Sequence, residues 1–309
     1  MPEIWIYSED TNVAEQLLTV GRELADKLIQ PLCAVTIFAD DAQGLIASGA
    51  DKVIVLKGDN PWPECYATPI ATLVAQQSPV ALIIGGTLRG KDLAAKVAAR
   101  LKTGLVTDAF AIRVENGAIE TDRMMYGGLA VCTEILSGIG MITVPPRIYE
   151  APVKDTSRSG EIKTSEVVVE TSMTVGNVCP IIRQGADITI ADKLVCVGRG
   201  LGKQEDMQIA TDLAMALGAE MACTRSVAED YHWLPNESYI GLSGQRVKPS
   251  LYLSMGVSGQ VQHVAGIRDS KIIVAIDTNE NAPIFAVADY GIVGDLYQIV
   301  PLLTEAIKK

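Results

Sequence analysis

The sequence predicts an α/β protein of two domains. Short, almost continuous apolar runs alternate with helical patterns in each half, which is how the strands of a parallel sheet covered on both faces read. That alternation breaks after Val106 and restarts beyond Ala191. A stretch rich in Pro, Lys, Ser, Thr and Gly, residues 145–166, lies between the two runs. At 309 residues the chain is long enough for two cores. The expected organisation is an N-terminal α/β domain over residues 1–186, with a mixed, mostly parallel sheet, and a C-terminal doubly wound domain over residues 187–309.

In the first half, residues 4–8 read as a strand. Residues 12–29 read as a helix, because Leu17, Leu18, Leu24, Ala25 and Leu28 fall on one face at helical spacing. Strands follow at 33–39, 53–57 and 80–84, with helices between and after them, among them 92–101. Beyond Val106 the pattern becomes that of hairpins. Asn116-Gly117, between runs at 111–114 and 118–121, supplies the positive-φ pair that a tight two-residue turn needs. Residues 130–136 and Gly140–Val144 add strands, so the sheet is expected to turn mixed near its edge. Residues 145–166 read as an exposed excursion, and 167–169 as a short returning strand. The domain boundary is expected between Gln184 and Ala191. After it, strands are expected at Lys193–Val197, 221–224, 251–257 and 271–276. The helix at 205–217 carries Met207, Ala210, Leu213, Ala214 and Leu217 at helical spacing and stops at Gly218. A terminal helix starts near Leu296.

Composition excludes several classes. The net charge is −11, and a polyanion needs a basic face, so nucleic acid is not an expected partner. Any bound phosphate must be held by local donors. The six cysteines, Cys33, Cys65, Cys132, Cys179, Cys196 and Cys223, form no C-x-x-C pair, and the only histidines are His232 and His263. Neither a metal site nor a cluster is expected, and the thiols read as reduced. The start, MPEIWIYSED, has no basic segment and no sustained apolar core, so no signal or transit peptide is read. The most apolar long stretch, 128–144, holds Glu134, Ser137 and three glycines, which suits no lipid-spanning helix. A cytoplasmic protein of bacterial or archaeal type is expected.

Two strand-to-helix turns in the second half carry the chemistry. One is Gly198-Arg199-Gly200-Leu201-Gly202, spaced G-x-G-x-G rather than as the dinucleotide G-x-G-x-x-G. The other is Ser258-Gly259, which leads into a short helix bearing Gln262 and His263. Such turns present backbone N–H groups and a helix N-terminus, a combination that favours an anion such as a pyrophosphate. Arg199 adds a fixed positive charge. Thr224 and Arg225 end the second strand of this domain, at the carboxyl edge where open α/β sheets take ligands. A third glycine motif misleads. Gly85-Gly86-Thr87-Leu88-Arg89-Gly90-Lys91 fits G-x-x-x-x-G-K, yet Asp92 follows where a P-loop needs Ser or Thr for magnesium. Nucleoside-triphosphate hydrolysis is not expected.

Residues 251–277, LYLSMGVSGQVQHVAGIRDSKIIVAID, closely resemble a motif of the α subunit of electron-transfer flavoproteins. That motif reads L-Y-hydrophobic-x-x-G-x-S-G-x-I/V-Q-H-x-x-G, followed by a strand ending A-I-N. Leu251, Tyr252, Gly256, Ser258, Gly259, Val261, Gln262, His263 and Gly266 fit it, and Asp277 stands where the family usually has Asn. The resemblance covers residues 187–309 and, more loosely, the rest. It implies a Rossmann- or flavodoxin-like domain that binds FAD, and an N-terminal domain that pairs with a β subunit. It also implies individual roles. Arg199 contacts the FAD diphosphate region. Arg225, in a Thr224-Arg225 pair that replaces the family's Ser-Arg, packs its guanidinium against the isoalloxazine ring. Ile240-Gly241-Leu242-Ser243-Gly244 resembles V-G-Q-T-G, with Leu242 in place of Gln and Ser243 keeping a hydroxyl for flavin N5. His263 approaches the flavin C2 carbonyl, and Gln262 with the backbone of Ser258, Gly259, Gln260 and Val261 lines the same cofactor. Asp277 faces the adenosine end, and Asp295 and Leu296 the adenine. Tyr126-Gly127-Gly128 with Thr133-Glu134 resembles a first-domain stretch that serves structure and subunit contact.

The implied function is electron carriage by one subunit of a heterodimer, with no catalytic residue of its own. FAD takes electrons from a dehydrogenase flavin of the acyl-CoA dehydrogenase type and passes them to a quinone oxidoreductase or another acceptor. The β subunit, carrying AMP or a second FAD, is the expected partner. Leu242 and Asp277 hint at a non-mitochondrial branch of the family, and two readings remain beside this one: a part in an NADH-dependent electron-bifurcating complex, and a flavin-free nucleotide-binding scaffold.

Overall fold

The computed structural model describes residues 2–169, 171, 173–179 and 185–308. It forms two compact units, Met1–Gly176 and Asn177–Lys309. The division falls ahead of the expected segment, of which Gln184 lies outside the described residues.

The first unit runs β1 (Ile4–Tyr7), α1 (Thr11–Leu28), β2 (Leu32–Thr36), α2 (Ala42–Ala47), β3 (Lys52–Lys57), α3 (Ala67–Gln77), β4 (Ala81–Gly85) and α4 (Leu88–Leu101). It continues through β5 (Leu105–Val106), β6 (Ala109–Glu115), β7 (Ala118–Met125), β8 (Ala130–Ile135), β9 (Gly140–Val144) and β10 (Glu161–Glu166). One sheet has the order β10-β3-β2-β1-β4-β9-β5, and every neighbouring pair in it is parallel. The two-residue period of a strand sends alternate side chains to opposite faces. Ile4 and Ile6 therefore join a core with Leu17, Leu24 and Leu45 of α1 and α2, while Trp5 and Tyr7 join another with Ile70 and Val97 of α3 and α4. Caps set where the helices begin. The Asp10 carboxylate accepts the amides of Asn12 and Val13 ahead of α1, and Thr87 Oγ1 accepts the Gly90 amide at 2.9 Å. That second cap starts α4 at Leu88, four residues before the apolar periodicity alone indicated.

Two expectations in this unit are corrected. The hairpin at Asn116-Gly117 forms, with φ of 50° and 80°. However, β6, β7 and β8 make an antiparallel sheet of their own rather than a mixed edge on the first. Residues 167–169 are not a strand. Their valines attract attention as β-formers, but Val167 and Val169 pack onto the core instead of pairing. The polar run Glu161–Glu166 pairs with β3 and closes that edge of the sheet. Its side chains are mostly exposed, as suits an outermost strand.

The second unit runs β11 (Lys193–Val197), α5 (Met207–Leu217), β12 (Glu220–Cys223), β13 (Leu251–Met255), α6 (Val261–Ile267), β14 (Ile273–Asp277), β15 (Tyr290–Val293) and α7 (Leu296–Ile307). Its sheet is parallel throughout, in the order β12-β11-β13-β14-β15. Counted within the unit this is 2-1-3-4-5, the flavodoxin-like order, whose direction reverses between β11 and β13. Val195 and Val197 pack with Leu213 of α5 and Val300 of α7, and Leu194, Cys196 and Tyr252 pack on the other face with Ile240 and Ile267. Strand β15 escaped the sequence analysis, since all four of its residues are exposed and one is glycine.

The glycines of the G-x-x-x-x-G-K segment have a packing origin. A Cβ on Gly90 would collide with the Gly85 carbonyl oxygen, and one on Gly86 would lie 2.9 Å from the Val144 carbonyl oxygen. Gly90→Ala is therefore expected to destabilise the first unit by about 1–3 kcal/mol, read as a lowered urea midpoint. Gly44→Ala is the control, because a Cβ there meets nothing within 4 Å. Equal midpoints for the two variants would contradict the packing account.

Candidate functional site

At the point where the second sheet reverses, two turns leave the carboxyl ends of β11 and β13 and cross. The Gly198 amide donates to the Met255 carbonyl and the Gly200 amide to the Gly256 carbonyl, each at 3.0 Å. A Cβ on Gly200 would stand 2.5 Å from Gly256 Cα, and one on Gly198 would strike the Gly256 carbonyl oxygen. Gly256 itself has φ of 62°, a conformation that side chains disfavour. The G-x-G-x-G spacing thus answers to backbone meeting backbone. This turn keeps little for an anion: the Leu201 amide donates to the Gly198 carbonyl and the Gly202 amide to Tyr297 Oη at 3.0 Å, and from Gly198 to Gly202 the Arg199 amide alone finds no acceptor among the described residues.

The other turn is open. The amides of Ser258, Gly259, Gln260, Val261 and Gln262 find no acceptor among the described residues, and Gln260 adds no side-chain cap to α6. Gly259, at φ of 75°, lets this turn pass directly over the backbone of Ile284, where a Cβ would collide. Five consecutive free donors at one point form the strongest feature of the site for an anionic ligand.

A cavity of about 590 Å³ opens above these turns. Of the residues expected from sequence, Arg199, Thr224, Arg225, Gly241, Ser243, Ser258, Gly259, Gln260, Gln262, His263 and Asp277 line it. Leu242, Val261, Asp295 and Leu296 do not. Leu242 and Val261 turn their side chains to solvent, and the Leu242 amide ties its loop to the Gln262 carbonyl at 2.7 Å. Asp295 caps α7 by accepting the Tyr297 amide at 2.9 Å, and Leu296 is buried in the core. Ile240, at the head of the Gly241–Ser243 segment, also lines the cavity, as do Tyr239 and Ser226, which the sequence did not mark. Tyr239 stands four residues before Ser243, and its hydroxyl meets Ser243 Oγ at 2.7 Å; nothing in the spacing of that loop marks the pair.

The charged groups differ in setting. Arg225 follows β12, and its Nε lies 2.5 Å from Glu229 Oε2 across one turn. That hydrogen bond to Glu229 raises its pKa further, so the guanidinium is a permanent charge. Asp277 Oδ1 accepts the Asn279 amide at 2.9 Å. His263 is 8% exposed, and its Nε2 lies 2.6 Å from the hydroxyl of buried Tyr252. Burial pushes the imidazole down to about 4, against a smaller opposing pull from its hydrogen bond to the Ile240 backbone. The nearby thiols of Cys196 and Cys223 are pushed up by burial and stay protonated. Among the described residues no cluster suited to a metal occurs, and no helix is long and apolar enough to cross a membrane.

Comparison with known proteins follows the same lines. The model of the "Electron transfer flavoprotein FAD-binding domain" matches residues 187–268, and that of the "Electron transfer flavoprotein domain" matches residues 4–170. Protein FixB of Escherichia coli (strain 55989 / EAEC) is 37% identical over 315 residues, an alignment spanning 99% of this chain and 98% of that protein. The putative electron transfer flavoprotein subunit YdiR of Escherichia coli (strain K12) is 36% identical over 313 residues, with the same two coverages, 99% and 98%.

Burial of His263 has a consequence for stability. Its folded pKa, about 4, lies below the unfolded value of 6.5, so the unfolded chain takes up the proton first. Stability is then complete above about pH 6.5 and declines as pH falls toward 4, by up to about 3 kcal/mol. Melting temperatures of the native protein and of His263→Gln, compared from pH 7 to 4.5, should converge as pH falls. Parallel curves would show that the imidazole is not buried in its neutral form.

Proposed function

We propose, since this chain belongs to the electron transfer flavoprotein family as an FAD-binding, α-type subunit, that the cavity between β11 and β13 is its FAD site. The observation that carries this is the row of free amides from Ser258 to Gln262 with Arg199 on the same wall. Those donors suit a diphosphate, and in a chain of net charge −11 little else would hold one. When bound, FAD supplies reversible storage of one or two electrons.

Each remaining residue then has a task set by its chemistry. Arg225 stacks its guanidinium on the ring system and offsets the negative charge that reduction adds, with Glu229 fixing its orientation. Tyr239 and Ser243 offer a hydroxyl pair to the ring edge. Asp277, an acceptor that would repel phosphate, suits a ribose hydroxyl and serves the adenosine end. Gly241, Thr224, Gln260 and Gln262 complete the wall. We assign Asp295 and Leu296 to supporting the adenine side through α7 rather than to direct contact.

Members of this family are electron carriers and pair with a β subunit. In our reading residues 187–309 are the FAD domain and residues 1–186 the part that meets the β subunit, which holds AMP or a second FAD. The donor is a dehydrogenase flavin of the acyl-CoA dehydrogenase type, the acceptor a quinone oxidoreductase, and the setting the bacterial cytoplasm. The chain's work is to bind the cofactor, tune it and exclude competing reactions.

Purified with its β subunit, the protein should be yellow and hold one FAD per α chain in this unit. Arg225→Ala should keep the flavin but lower its midpoint potential by roughly tens of millivolts, through loss of one nearby, water-screened positive charge. A colourless heterodimer sinks the site; an unshifted potential sinks the role of Arg225.

A further inference from the structure

We infer that Tyr252 is a positioning residue of this site: its hydroxyl donates to His263 Nε2 and so fixes the imidazole as the neutral tautomer protonated at Nδ1. The inference deepens the proposed function and rests on it only where the flavin is concerned. Tyr252 sits within β13 with none of its surface exposed, and its Oη lies 2.6 Å from Nε2. On the neighbouring strand β11, the buried thiol of Cys196 packs in the same core cluster as Tyr252. The backbone carbonyl of Ile240 is the imidazole's other polar neighbour and opposes the downward push of burial.

One arrangement of protons gives every one of these groups a partner. The Cys196 S–H donates to the Tyr252 oxygen, the Tyr252 O–H donates to Nε2, and Nδ1–H donates to the Ile240 carbonyl. Every donor then has an acceptor, the condition that buried polar chains meet. A proton at Nε2 in place of Nδ1 would turn the Tyr252 hydroxyl into an acceptor and leave the bare Nδ1 facing the Ile240 carbonyl, two acceptors with no proton between them. Were both nitrogens protonated, nothing nearby would steady the resulting cation. The titratable groups packed behind the ring are the Tyr252 phenol and the thiols of Cys196 and Cys223, all held neutral by burial. The charged groups lining the cavity are Arg199, Arg225 and Asp277, two of them already positive. His263 therefore brings the ligand a fixed dipole and no charge. Positive charge for a reduced ring falls to the arginines.

Nitrogen-15 NMR of the full chain in its heterodimer, labelled at histidine and stripped of FAD, tests this without any flavin. Only two histidines contribute, and His232 is the exposed one. His263 should show the pattern of a neutral ring with its proton at Nδ1, unchanged from pH 5.5 to 8. In Tyr252→Phe the Nε2 signal should move to that of an acceptor without a donor, and FAD should dissociate about tenfold more readily, as the loss of one buried hydrogen bond predicts. A proton at Nε2 in the native protein, or titration of His263 inside that range, overturns the inference even should the Phe variant fail to fold. A normal spectrum combined with a heterodimer that takes up no FAD would instead sink the flavin site and leave the proton arrangement standing.

Discussion

The second unit is organised around a place where two stretches of backbone touch. Gly198 and Gly200 on one turn meet Gly256 on the other at distances that exclude any Cβ, and two amide–carbonyl bonds of 3.0 Å lock them. Because the turn after β11 commits the amides of Gly198 and Gly200 to this crossing, most of the free donors fall to the turn after β13. The crossing also sets the floor of the cavity, against which Arg199, Thr224 and Asp277 are arrayed on the ends of three different strands. Asymmetry between the turns, one with a single free amide and one with five, is what makes a single anion position out of two similar-looking glycine motifs.

Much of this was legible in the residues. Continuous apolar strands and amphipathic helices identified both parallel sheets, since burial on two faces leaves no polar alternation to confuse the pattern. The site residues Arg199, Arg225, Ser258 and His263 come together because all lie at the carboxyl edge of one sheet, a place that strand order alone predicts. What stayed hidden was of other kinds. Thr87 and Glu161–Glu166 act through capping and edge pairing, which periodicity does not record. Tyr239 enters the cavity from a loop with no regular spacing. Leu242 and Val261 sit inside matching motifs yet face outward, because a motif fixes the backbone path and not every side chain along it. The glycines at 198 and 200 were visible, but their sequence cannot tell close packing from ligand approach; only the partner backbone does.

Electrostatics in this chain is local. With a surplus of eleven negative charges, no general field gathers an anionic ligand, so affinity has to come from directed dipoles and two arginines within one cavity. Arg225 keeps a carboxylate at one turn's distance, which limits its reach in the absence of ligand. His263, held inside a chain of neutral groups, adds orientation without charge. The balance suits a site that must accept an electron and give it up again, where an excess of fixed positive charge would hold the reduced state too well.

The outer strand of the first sheet has a bearing on how the molecule is made. β10 pairs with β3 at a separation of 109 positions along the chain. While the protein is still emerging from the ribosome, β3 therefore presents a bare row of backbone donors and acceptors until everything up to Glu166 has been synthesised. During that interval the nascent chain carries the kind of open margin that invites pairing with neighbouring polypeptides. Protection by chaperones, or slow translation just beyond the strand, would matter most there, at a point in biosynthesis well before the second unit has appeared.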